Sequence, residues 1–283
     1  MSECKGKIMK KLGTFFLLLL TVSAWATSSY YPSEYKNAFK GKDFSNEQLK
    51  EKLFVLLSSV HIYKNDRDDK IVPHCDGEGK CYEHKSIGYR GARKVLFGKI
   101  HLREDSEGYY VQDVYCRKKV TRRMSNVGPN IIPNNNVINC EHTWPQSRFS
   151  RSFDKGLQKS DLHHLYPTDS KANSVRGNNE FAEVDGDMLR DCDGSYTGAE
   201  KWQGAYFEPP NEHKGNVARA LFYFSVRYKL KISRNEEEYL RRWHNLDPVD
   251  ANETARNELI HKVQGNRNPF IDYPGLVGQI ENF

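Results

Sequence analysis

Sheet-forming sequence in this chain is scarce and closely bounded. Two stretches have the aromatic and β-branched content of a strand, residues 109–116 and 137–140. Between them, residues 124–136 hold Gly128, Pro129, Pro133 and asparagine at 134, 135 and 136, which reads as a loop. Pro145 keeps the second strand from running on. Most of the core must therefore come from helices. Ser45 with Gln48 has the pattern of a capping box, and Phe44 with Leu49 that of a hydrophobic staple. Leu49, Leu53, Leu56, Leu57 and Val60 follow at helical spacing. Residues 89–97 predict a short helix carrying Val95, Leu96 and Phe97. Further on, Val217, Leu221, Phe224 and Tyr228 form an apolar stripe. Asn235 is placed to cap a helix through Trp243, and Asp247-Pro248 opens another that Gly265 ends. Residues 27–43 read as an irregular lead-in and 64–84 as a charged, Gly-rich loop. The pattern gives an α+β fold, mostly helical, with a small β element.

The first residues read as a targeting segment. Lys5, Lys7, Lys10 and Lys11 precede an apolar run at 14–22 that is too short to span a bilayer comfortably. Ala24-Trp25-Ala26 is a small-x-small cleavage pattern. Residues 1–26 are thus expected to be a signal peptide, with an uncleaved anchor as the alternative. Residues 27–283 are then one exported domain, with no further segment apolar enough to insert in a membrane. The net charge of +6 overstates the basic character: without the leader, 39 basic residues face 36 acids, or +3. A locally basic run, RKKVTRR at 117–123, reads either as a solvated turn or as a phosphate-facing patch.

Cys4 falls in the leader, leaving Cys75, Cys81, Cys116, Cys140 and Cys192. Export favours disulfides. Cys75 and Cys81 are the expected local pair, and a Cys116–Cys140 bond would staple the two strands. Five thiols leave one over. No CxxC spacing supports zinc.

Two segments hold groups able to cut a phosphodiester, a reaction that needs a base for water, a cation and a grip on phosphate. NCEHTWPQSRF at 139–149 supplies Glu141, a hard oxygen ligand, and His142, a base suited to neutral pH. Neighbours in a strand point to opposite faces, so the pair shares a site only where the strand ends. DLHHLYPTDSKANSVRGNNEF at 161–181 offers Thr168 or Asp169 to cap a helix that places the Asn173 amide on its first turns. One carboxylate and one amide leave most of an octahedral shell to water and phosphate, which suits Mg²⁺. Mn²⁺ or Ca²⁺ could take the same place.

At these residues the chain resembles the bacterial endonuclease I family of periplasmic and extracellular nucleases, members of the ββα-metal or His-Me finger superfamily. CEHTWPQSRF is similar to the family's general-base segment and DLHHLYPTDSKANSVRGNN to its metal-helix segment. VQDVYC is similar to the first strand of its ββα unit. GNVARALFYFSVRY and QGNRNPFIDYP are similar to its C-terminal signatures. The resemblance spans roughly residues 86–277. It implies a ββα-metal core with His142 as general base and Glu141 and Asn173 as ligands of one Mg²⁺. It implies sequence-nonspecific endonuclease activity on DNA, with RNA as a further substrate, leaving 5′-phosphate and 3′-hydroxyl ends. An arginine between the two motifs would hold the phosphate, Arg148 first and Arg151 second. Asp161 and His163 are expected to orient neighbours, His164 to be structural, Arg176 to meet phosphate or an acid, and Asn178 to cap the helix end. A monomer, periplasmic or extracellular and bacterial, is the expected form. The rival functions are an exported nucleic-acid-binding protein and a phosphoesterase for small substrates. A protease is disfavoured, because the chain shows no HExxH and no Ser/His/Asp pattern.

Overall fold

The computed structural model describes residues 29–65, 67–77, 79–200 and 203–283. The signal peptide expected at 1–26 lies outside them. The chain enters through helices α1 (Ser33–Gly41) and α2 (Asn46–Ser58). The lead-in expected to be irregular thus contains α1, which buries Tyr35, Ala38 and Phe39 on one side. In α2, Leu49, Leu53, Leu56 and Leu57 are buried as the spacing predicts. Ser45 is the N-cap residue but makes no side-chain cap bond, and Val60 starts a strand instead of ending the helix.

Strand β1 (Val60–Tyr63) pairs antiparallel with β2 (Lys70–Val72) and β3 (Lys80–Tyr82), where a loop was expected. The Cys75–Cys81 disulfide closes this small sheet. Helix α3 (Tyr89–Val95) continues into a π turn at Leu96–Ile100 that buries Leu96 and Phe97. Then β4 (Leu102–Asp105), β5 (Gly108–Gln112) and β6 (Lys119–Thr121) form a meander. The stretch read as one strand over 109–116 therefore stops at Gln112. Asp113 explains the stop, since its carboxylate accepts from the backbone N–H groups of Tyr115, Cys116 and Lys118 and folds a turn.

Strand β7 (Ile138–His142) pairs with β8 (Leu165–Asp169), in register Glu141 to Tyr166 and His142 to Leu165. Helix α4 (Lys155–Ser160) lies in the connection, and α5 (Ser170–Arg176) follows β8 directly. The strand–strand–helix unit is thus β7–β8–α5. Of the VQDVYC stretch, expected to supply its first strand, only Val111 and Gln112 lie in a strand, at the end of β5; the rest forms the following turn, from which Val114 N–H bonds to Pro167 O of β8.

A four-stranded sheet follows, in the order β10 (Asp185–Met188), β11 (Tyr196–Glu200), β12 (Gln203–Glu208), β9 (Glu180–Phe181). A Cys116–Cys192 bond ties the end of the β5–β6 turn to this region, and Cys140 is free and buried. The expected Cys116–Cys140 staple is therefore not made.

Helix α6 (Asn211–Tyr228) runs through the centre and is buried on all sides, well beyond the single stripe seen in the sequence. Around it pack α7 (Arg234–Leu246), α8 (Ala251–Gln264) and α9 (Pro269–Asp272). Ser233 and Asp250 cap α7 and α8, in place of Asn235 and Asp247, while Gly265 ends α8 at φ 88° as expected. Two apolar clusters result. One gathers Trp144, Phe222, Phe224, Tyr228 and Trp243 about α6; the other holds Ala92, Phe97, Val111, Cys140, Leu165 and Ile260. The alternation of β7 serves them: Ile138 and Cys140 face the second cluster, which turns Asn139 and Glu141 the other way. No helix among the described residues is long and apolar enough to cross a membrane.

Candidate active site

β7 ends at His142 because the chain turns away there. Thr143 N–H still bonds to His164 O, but Pro145 opens a 3₁₀ turn at Gln146–Arg148. This lets adjacent residues share a site. Glu141, His142 and Asn173 all line one open cleft of about 350 Å³, together with Asn139, Gln146 and Asn178.

Glu141 is almost fully buried. Its Oε1 accepts from Tyr115 Oη at 2.8 Å and pairs with Arg176 Nη1 at 3.0 Å. Burial raises its pKa, against the pull of the Arg176 charge and the Tyr115 hydroxyl. Arg176 also donates to His142 O at 3.0 Å and Thr143 O at 2.6 Å. One guanidinium on α5 thereby fixes both the side chain of Glu141 and the backbone that carries His142.

His142 Nε2 lies 3.2 Å from Lys159 O. A carbonyl only accepts, so Nε2 carries the proton in the neutral ring and Nδ1 keeps the lone pair. Nδ1 is turned toward Gln146 Nε2 at 3.5 Å, on the cleft side. Burial, helped by the neighbouring His164, pushes the His142 pKa down to about 3, so the ring is neutral at physiological pH. Tyr89, Phe149 and His164 pack around it.

Asp169 caps α5, its carboxylate accepting from Lys171 N and Ala172 N, which sets Asn173 on the first turns as expected. Thr168, the other expected cap, is instead the penultimate residue of β8. Asn173 Nδ2 donates to Asn139 Oδ1 at 2.6 Å, which leaves Oδ1 of Asn173 as the free end of the amide. The donors available to a cation in the cleft are thus a carboxylate and an amide oxygen, both hard. Among the described residues no group of three or more His, Cys, Asp or Glu could hold a metal. The donor set fits a divalent ion that keeps waters, such as Mg²⁺, and does not fit one needing a protein-built shell such as zinc.

Other expectations fare differently. Arg148 is not brought to the cleft. It pairs with Glu236 at 3.0 Å, lies near Glu180, and stacks on Trp144, because the 3₁₀ turn points it at α7. Arg151 is exposed in the following turn and does not line the cleft either. Asp161 and His163 sit in a separate buried knot. The Asp161 carboxylate accepts from Tyr223, Tyr228, Gln264 and the His163 N–H, and His163 Nε2 meets Asn266 O. His164 Nε2 meets Gln158 O and the ring packs on Phe224, a structural place as read. Asn178 lines the cleft, but Gly177, at φ 54°, is the residue that ends α5. In the basic run, Arg117 pairs with Glu212 and Asp193, Lys118 with Asp169, and Lys119 with Asp105 and Glu107, so three of its five positive charges are already neutralised at the surface. Asn139, Tyr115 and Gln146 were not singled out in the sequence. Asn139 could have been, because it stands two before Glu141 in a strand and so shares its face.

The comparisons with known proteins bear on this arrangement. The family model described as Endonuclease I matches residues 80–275, well over half of the chain. The chain belongs to the Endonuclease I family. The Endonuclease I match takes in all of β7, β8 and α5. Among relatives, the extracellular ribonuclease of Bacillus subtilis (strain 168) is 37% identical over 160 residues, covering 50% of this chain and 53% of its own length. An endonuclease-1 of Buchnera aphidicola subsp. Baizongia pistaciae is 28% identical over 197 residues, covering 63% and 80%. A periplasmic deoxyribonuclease of Aeromonas hydrophila is 26% identical over 207 residues, covering 68% and 81%. The chain spans about half the length of the ribonuclease relatives it matches.

Proposed function

We propose that this chain is an exported, Mg²⁺-dependent endonuclease that cuts DNA and RNA without sequence preference, acting as a monomer through a ββα-metal core formed by β7, β8 and α5. The observation that carries this reading is the convergence of Glu141, His142 and Asn173 on one cleft. The relatives named as ribonucleases and deoxyribonucleases support activity on both nucleic acids. Their extracellular and periplasmic names, with two disulfides among the described residues, support export.

His142 acts as the base. Its Nε2–H stays on Lys159 O while Nδ1 takes a proton from water, whose oxygen bonds to phosphorus as the bond to the 3′ oxygen breaks. The 3′ oxygen leaves as a hydroxyl after taking a proton from solvent, and the phosphate stays on the 5′ end. Glu141 and Asn173 would hold the Mg²⁺, which supplies charge compensation for the phosphorane and the departing oxygen. Arg176 keeps both elements in place and does not need to leave them. Contact through the phosphate backbone carries no sequence information directly, hence the absence of sequence preference.

The test is digestion of plasmid, single-stranded DNA and RNA, each in Mg²⁺, in EDTA, and in EDTA followed by excess Mg²⁺. Cutting of all three that stops in EDTA and returns with Mg²⁺ is expected. Undiminished cutting in chelator refutes the metal role, and binding without cutting refutes the enzyme.

A further inference from the structure

Asn173 is expected to present its oxygen to the ion, yet an amide side chain presents oxygen and nitrogen with nearly equal ease. Something must choose between them. The structure assigns this choice to Asn139. Asn139 lies on β7 two residues before Glu141, so both side chains leave the same face of the strand, and both line the cleft. Its Oδ1 accepts from Asn173 Nδ2 at 2.6 Å. Its own Nδ2 lies 3.4 Å from Ser170 Oγ at the start of α5. Asn139 therefore bridges the first residue of the helix and the residue three further on, one helical turn along the same side. With its nitrogen engaged, Asn173 has only Oδ1 to offer. Asn139 is a positioning residue: it acts through Asn173, setting the sign of the dipole that Asn173 shows to a cation. Groups that orient a metal's ligands commonly contribute 10- to 100-fold in affinity, about the effect expected here.

This inference rests on the metal reading given above, so its test must separate the two. Mn²⁺ binding to the full chain without nucleic acid is measured at neutral pH by titration, beside the melting temperature of each variant. The wild type should bind and Glu141→Ala should not. Asn139→Ala should bind about tenfold more weakly with a melting curve like that of the wild type. Asn139→Asp should bind at least as tightly as the wild type, because a carboxylate can only accept and so enforces the same Asn173 orientation. Asn139→Ser, too short to reach the amide, takes the place of the alanine variant should that not fold. Wild-type affinity in the alanine or serine variant overturns the role of Asn139 and leaves the metal site standing. So does an aspartate variant as weak as the alanine one. A wild type that does not bind, or a Glu141→Ala protein that binds equally well, refutes the metal site itself and Asn139 with it.

Discussion

The cleft and the Asp161 knot use the same kinds of residue to opposite ends. Both hold a buried carboxylate, imidazoles and amides, and one short stretch of chain, residues 161–173, feeds both. In the knot the Asp161 carboxylate is wholly enclosed and accepts from two tyrosine hydroxyls, the Gln264 amide and a backbone N–H. Burial works against its charge, but His84, His163, His164 and the Gln264 amide outweigh it and lower its pKa. Every strong group there is turned inward. In the cleft, Glu141, His142 and Asn173 are each held by one part of the side chain, through Arg176, Lys159 O and Asn139, while another part faces the opening. Residue type alone does not mark a site. The knot too keeps unused atoms, the Nδ1 of His163 and of His164, but they are sealed in; the cleft differs in that its spare bonding capacity faces an opening.

This contrast can be broken by acid, which should have the largest effect because it reaches several groups of the knot at once. Burial lowers the pKa of His84, His163 and His164 to about 4, 3 and 4. The unfolded chain takes up these protons near pH ~6.5, and the folded one does so only near those lower values. Stability should therefore fall as the pH drops below ~6.5 and keep falling toward 4. Asp161 has the opposite phase, since its lowered pKa contributes stability above the ordinary aspartate range that is lost only in stronger acid. Urea midpoints across the pH range check this, and a flat profile from 6.5 to 4.5 contradicts the buried neutral imidazoles. Next in size, His142→Ala should fold normally and lose about 10³-fold in plasmid cleavage, the usual scale for a missing general base. Retention of even a tenth of the rate would move the base elsewhere. Asp161→Asn should do the reverse, costing about 3 kcal/mol of stability while leaving the Mn²⁺ affinity of the folded protein unchanged. A weakened ion site in that variant would mean that the knot and the cleft are coupled.

Much of the candidate cleft was legible in the sequence. Glu141 and His142 beside Pro145, and Asn173 behind the Asp169 cap, are local patterns whose physics acts over a few residues. The longer helices α2, α6, α7 and α8 were legible for the same reason, whereas α1 was hidden in a lead-in that reads as irregular. The pairing of β7 with β8 was not, because LYPTD contains a proline and ends on a cap, and reads as the approach to a helix. The sheet at 180–208 was hidden too: DGDM is exposed throughout and has no alternation to detect. Arg148 shows the limit most clearly. Its place in the motif loop suggested phosphate, but its partner Glu236 stands 88 residues away on another helix, and no spacing rule reaches that far.

Cys140 has a consequence for how the molecule matures. Its thiol lies inside the hairpin, where burial and the nearby Glu141 charge push its pKa up to about 12. Once β7 and β8 have closed, almost none of it is thiolate, and thiol–disulfide exchange needs the thiolate. Before closure it competes with Cys75, Cys81, Cys116 and Cys192 for partners. The hairpin therefore acts as a guard on covalent fidelity: scrambled bonds can be exchanged while it is open, and the odd sulfur is withdrawn when it shuts.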